Sequence, residues 1–64
     1  MTIRYQGKNV ETDAATVAAF LDAQGGAKDA VVEYRGEVLA DAALDATLLE
    51  DGAELNTYRI VSGG

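Results

Sequence analysis

The last seven residues, Tyr58-Arg59-Ile60-Val61-Ser62-Gly63-Gly64, run from a strand-forming stretch straight into a diglycine. A chain end without side chains threads a narrow channel, and its terminal carbonyl carbon lies open to attack. Activating such a carboxylate means converting it to an anhydride or ester. An α-substituent would crowd the incoming nucleophile and add a stereocentre that can racemise, and glycine removes both problems. Gly64 is therefore the candidate reactive residue, with Ser62 and Gly63 as the segment a partner would grip. The same three residues also read as a plain polar tail that nothing holds, and composition alone does not choose between the two.

Other chemistry lacks its parts. The chain has no cysteine and no histidine, which removes disulfide frameworks, thiolate or imidazole metal sites, Ser-His-Asp and Cys-His catalysis, and histidine switches. Glu37, Asp41 and Asp45 match no calcium-loop spacing, so no metal is expected and the carboxylates read as a solvated acidic face. Gly25-Gly26 is followed by no Lys-Ser or Lys-Thr and closes a helix instead of opening one, so it is no phosphate loop. No bound cofactor is expected.

Eleven acidic residues against five basic ones give a net charge of −6. The basic residues, Arg4, Lys8, Lys28, Arg35 and Arg59, are scattered singly, which argues against nucleic acid and anionic membrane as partners. The longest apolar run, Val17 to Leu21, is far short of the ~20 residues a spanning helix needs. Met1-Thr2-Ile3-Arg4 lacks the basic-then-apolar order of a signal peptide. These features predict a soluble, cytoplasmic protein whose acidity steers it toward a basic docking surface, and an active chain end that must stay free favours a monomer between partner encounters.

The elements that must position the chain end follow from periodicity. Ile3 and Tyr5 alternate with Thr2, Arg4 and Gln6 as in a half-buried strand, Gly7-Lys8-Asn9 supplies turn residues, and a second extended piece runs from Val10 to Thr12. Val17, Phe20 and Leu21 fall at i, i+3 and i+4 on one face of a helix, which Asp13 or Thr16 can cap and Gly25-Gly26 can end. A second hairpin has Ala30, Val32 and Tyr34 on one side and Val31 and Glu33 on the other, turns at Arg35-Gly36, and returns through Val38 and Leu39. Between Ala40 and Thr47 the pattern allows an irregular connection or one helical turn tucking Leu44 and Leu48 under the sheet. Glu50-Asp51-Gly52 is a turn, and Leu55 to Val61 a final strand.

This order, ββαββ plus a terminal strand, predicts a single α+β domain over residues 1–64: a ubiquitin-like β-grasp, with a mixed four- to five-stranded sheet and one main helix on one face. The first and last strands should be parallel central neighbours, and residues 62–64 a flexible tail. Twelve of the apolar residues are alanine, so the predicted core is small: Ile3, Tyr5, Val17, Phe20, Leu21, Val32, Tyr34, Leu39, Leu48 and Leu55.

Taken in order, several segments carry a wider resemblance. They are Met1 to Lys8, Thr16-Val17 with Phe20-Leu21, the Val32-Glu33-Tyr34-Arg35-Gly36-Glu37-Val38-Leu39 hairpin, Leu49-Glu50-Asp51-Gly52, and Ile60-Val61-Ser62-Gly63-Gly64. Across essentially its whole length the chain resembles the ThiS-type sulfur carriers of thiamine biosynthesis. More distantly it resembles the small subunit of molybdopterin synthase (MoaD type) and ubiquitin-like proteins. It departs from the common pattern in carrying Arg35-Gly36 where many members have Asn-Gly, Ala40-Asp41 where a proline is common, and Asp51-Gly52-Ala53 where Asp-Gly-Asp is usual.

The resemblance implies a carrier acted on by enzymes, not a catalyst. A ThiF/MoeB-type adenylating enzyme would use ATP to adenylate the Gly64 carboxylate. Sulfur from a persulfide would then displace AMP, leaving a C-terminal thiocarboxylate. The acceptor implied is thiazole synthase (ThiG-type) or another sulfur acceptor enzyme. Strand parity adds a docking surface: if Leu55 and Thr57 face the helix, then Asn56, Tyr58 and Ile60 lie on the open face beside the tail, making Tyr58 and Ile60 the partner contacts. Tyr58 equally reads as packing on a neighbouring strand. Two other functions fit the same chain: a ubiquitin-like modifier that conjugates Gly64 to lysines, and a β-grasp binding module with an idle tail.

Overall fold

The structure, a computed structural model, describes residues 1–26 and 30–59. Its elements are β1 (Thr2–Tyr5), β2 (Lys8–Glu11), α1 (Val17–Ala23), β3 (Ala30–Tyr34), β4 (Glu37–Leu39), α2 (Asp41–Leu44) and β5 (Glu54–Arg59). The strands form one five-stranded sheet in the order β2-β1-β5-β3-β4. β5 thus lies in the middle, parallel to β1 on one side and antiparallel to β3 on the other. This is the mixed sheet with one main helix expected of a β-grasp.

Both hairpins turn through two residues with positive φ, Gln6-Gly7 and Arg35-Gly36. That is the type I′ geometry, whose twist matches that of the flanking strands. In the first hairpin the turn lies one residue earlier than Gly7-Lys8-Asn9. Tyr5 pairs with Lys8, so Lys8 already belongs to β2, which ends at Glu11. The glycine marks the turn correctly, but its place as the second central residue is set by this pairing.

Thr16 starts α1, its hydroxyl accepting from the Ala19 amide at 3.1 Å. At the other end the Gly26 amide donates to the Leu21 carbonyl and the Gly25 amide to that of Asp22. These two bonds make a Schellman cap, with Gly25 at the positive-φ position that glycine takes without steric penalty. Two turns of helix are too short to be stable alone. The helix is held by burying Val17, Phe20 and Leu21 among Ile3, Val32, Tyr34, Leu49 and Leu55. Tyr5 meets Phe20 edge to face with ring centroids 5.1 Å apart. Tyr5 and Leu39 pack against this core as half-buried residues instead of lying within it.

The Ala40 to Thr47 stretch contains one helical turn, α2, and Leu44 from it packs on the core. Leu48 does not. It is 67% exposed, and Leu49 takes the buried place. The cause is a bridge between Thr16 and Leu48, flanked by hydrogen bonds from Val17 to the Thr47 carbonyl and from Leu49 to the Ala15 carbonyl. Extended backbone alternates sides, so placing Leu48 beside the half-buried capping threonine, with its own side chain outward, turns Leu49 inward.

The entry to β5 is fixed by three polar contacts. The Glu50 amide donates to the Tyr34 hydroxyl at 2.8 Å, the Thr2 amide to the Asp51 carboxylate at 2.8 Å, and the Gly52 amide to the Thr2 carbonyl at 2.7 Å. Arg35 pairs with Glu50 across the same turn. Among the described residues no helix is long and apolar enough to cross a membrane.

Candidate functional site

β5 carries the chain toward its last residues, and its described part ends at Arg59. Ile60, Ser62, Gly63 and Gly64 lie outside the described residues, as does the 62–64 tail. Of the predicted site, the structure therefore places Tyr58, on β5.

Leu55 is fully buried beneath the helix, so alternation puts Glu54, Asn56 and Tyr58 on the opposite, open face. The register agrees: Tyr58 lies across from Val31, and Asn56 from Glu33. Tyr58 is 52% exposed. Val31 beside it and Val38, which pairs with Glu33 and is 68% exposed, complete a small apolar patch. Glu33, Glu54 and Arg4 give the patch a mainly acidic surround, with Arg4 and Glu54 3.8 Å apart. Arg59 has the opposite parity and is exposed.

Tyr58 both presents its ring to solvent and bonds its neighbour, so the two readings of it are not exclusive. Its hydroxyl donates to the Glu33 carboxylate at 3.2 Å. The negative charge of Glu33, and then the hydrogen bond to it, hold the phenol above the usual tyrosine range, with Glu54 adding a smaller effect. Tyr58 therefore stays neutral, a hydrogen-bond donor, well above physiological pH. Replacing Glu33→Gln removes the charge and should lower the Tyr58 titration midpoint toward that of a free tyrosine. The midpoint is read from the Tyr58 ring carbon by NMR, and an unchanged value would show that Glu33 exerts no such control.

Sequence reasoning missed one residue at this end of the sheet. β1 pairs with β5 only at Arg4 with Glu54 and Tyr5 with Leu55, because the chain then turns away at Gln6-Gly7. β5 continues four residues further, leaving the β1-facing N–H and C=O of Thr57 beyond the reach of β1 backbone. The Gln6 side chain fills the gap. Its Oε1 accepts from the Thr57 amide at 3.0 Å, and its Nε2 donates to the Thr57 carbonyl and hydroxyl, each at 3.0 Å. The primary amide acts as one more peptide group of β1. The only sequence signal was a long polar side chain at a turn position that favours Asn, Asp or Gly.

A shallow hollow of about 370 Å³ lies at the opposite end of the sheet, lined by residues including Tyr34, Arg35, Leu39, Leu48 and Glu50. Its arginine is already paired with Glu50, and it is remote from the exit of β5.

No family model matches the chain, and no curated protein matches it closely. Solved structures do. The crystal structure of the thiamine biosynthesis protein ThiS from Geobacter metallireducens is 33% identical, with a TM-score of 0.85 over the whole of both chains. An NMR solution structure of a thiamine biosynthesis protein from the same organism is also 33% identical, with a TM-score of 0.75 over all of this chain and 88% of that one. The central parallel β1–β5 pair, the one main helix on the sheet and this full-length correspondence lead to one assignment: the chain belongs to the ThiS family of thiamine biosynthesis proteins.

Proposed function

We propose that the protein is a sulfur carrier for thiazole formation in thiamine synthesis, with Gly64 as the residue that is activated and loaded. A ThiF/MoeB-type enzyme binds the apolar patch around Tyr58 and draws the tail into its nucleotide site. The Gly64 carboxylate attacks the α-phosphorus of ATP and expels pyrophosphate. Sulfide attacks the resulting acyl-adenylate and displaces AMP directly; where a persulfide is the donor, a thiol then reduces the acyl disulfide. Either route leaves a thiocarboxylate, whose soft sulfur anion needs no general base to act as a nucleophile on an acceptor such as a ThiG-type thiazole synthase. The carrier is a reagent in this scheme, which a chain without histidine or cysteine can be.

The observation that carries this reading is the end-to-end match to a ThiS protein in a chain whose sequence closes on Gly63-Gly64. It is tested by intact mass after incubation with the activating enzyme, ATP and sulfide. The expected product is heavier by the exchange of one oxygen for sulfur. Protein adducts through lysine would point instead to a modifier. No change, with an enzyme active on its own carrier, would overturn the carrier reading.

A further inference from the structure

We propose that Gln6 is a positioning residue for the reactive end, holding the last strand in line so that the tail leaves the sheet in one direction. The inference rests on the carrier reading and extends it to a residue 51 positions from its bonding partner.

Three observations meet at Gln6. Its side-chain amide makes a matched donor and acceptor pair with the backbone of Thr57, plus a bond to the Thr57 hydroxyl. Those bonds fall where β1 has ended and β5 goes on, so they hold a side of the strand that no described backbone covers. Gln6 also keeps φ at +51°, a conformation that glutamine disfavours. Asparagine or glycine would suit the turn better, yet a shorter side chain would not span to Thr57.

Leverage makes this matter. The seven residues from Tyr58 to Gly64 carry the chain on from Thr57. Drawn out they span about 23 Å, so a swing of about 10° at Thr57 would move the carboxylate by about 4 Å. A scattered direction must be frozen out when the activating enzyme captures the tail, an ordering cost that falls on binding and so on KM. On the β3 side the strand is held out to the pairing of Ala30 with Arg59. With Gln6 on the other side, β5 is restrained from both edges close to the point where the tail begins.

The test uses Gln6→Asn and Gln6→Gly, both of which suit a type I′ turn and neither of which reaches Thr57. Both should keep the native melting temperature within a few degrees and speed hydrogen exchange at the Thr57 amide. Both should also raise KM for the carrier in ATP-dependent activation about tenfold, equivalent to about 1.4 kcal/mol, with kcat changed much less. A lowered melting temperature with unchanged KM would make Gln6 merely structural and overturn the proposal. So would fast Thr57 exchange with unchanged KM, or native exchange in both variants. If the native chain itself is never activated, the carrier reading falls and this proposal with it.

Discussion

A variant lacking Gly64 is expected to melt with the full chain and yet to undergo no ATP-dependent activation. The buried core runs from Ile3 to Leu55, and the turn bonds that seat β5 all lie before Glu54. Among the described residues, the core and these bonds are complete by Leu55. The truncated chain still ends in a glycine carboxylate, so the chemistry of the end group is unchanged. What it loses is reach, about 3.5 Å of extended chain. That distance separates a carboxylate in contact with a phosphorus from one that cannot touch it. Gly64→Ala separates length from bulk: it restores the reach and adds a methyl group beside the reacting carbon, so partial activity is expected. The measurements are thermal unfolding by circular dichroism and ATP–pyrophosphate exchange with the activating enzyme. Native exchange rates in the shortened chain would sink the assignment of Gly64, and a lowered midpoint would mean that the end residue takes part in the fold.

The second large effect is on folding. Phe20 is completely buried, is the only phenylalanine, and makes the edge-to-face contact with Tyr5 that joins helix to sheet. Truncating a buried phenylalanine to alanine typically costs about 3–5 kcal/mol. At roughly 0.05–0.15 kcal/mol per residue, a 64-residue domain has only about 3–10 kcal/mol in total. With its larger apolar side chains so few, this core has little to collapse into the space. Phe20→Ala should therefore lower the unfolding midpoint by more than ~12 °C or abolish the cooperative transition. Phe20→Leu, which fills most of the volume, should fold with a smaller loss. An alanine variant melting within a few degrees of the native chain would show that the helix is held by other contacts.

The contrast between these two variants follows what the sequence could and could not disclose. The helix was legible because Val17, Phe20 and Leu21 recur at helical spacing and a double glycine follows. The parallel pairing of first and last strands followed once the element order was taken as a β-grasp, in which those two strands are central neighbours. The open-face position of Tyr58 followed from strand parity once Leu55 was taken as buried. What failed were choices that only distant contacts decide. Leu48 and Leu49 are adjacent and equally apolar, and the bridge to Thr16 chooses between them. The first hairpin has Gln6, Gly7, Lys8 and Asn9 as plausible turn residues, and the facing of Tyr5 and Lys8 selects Gln6-Gly7. The bond between Gln6 and Thr57 spans most of the chain and had no local signature. α2 was ambiguous for a further reason: the residue before its start is Ala40, whose methyl group cannot cap it.

The place of β5 between β1 and β3 has a mechanical consequence. A partner that takes hold of the tail pulls along the axis of that strand. The ladder bonds to its neighbours lie across this axis, so the load stretches them all sideways at once instead of opening them one after another from an edge. An edge strand such as β2 or β4 would have a ladder on one side only to share the same load. The domain can therefore be pulled through the chain that follows β5 while its core stays shut.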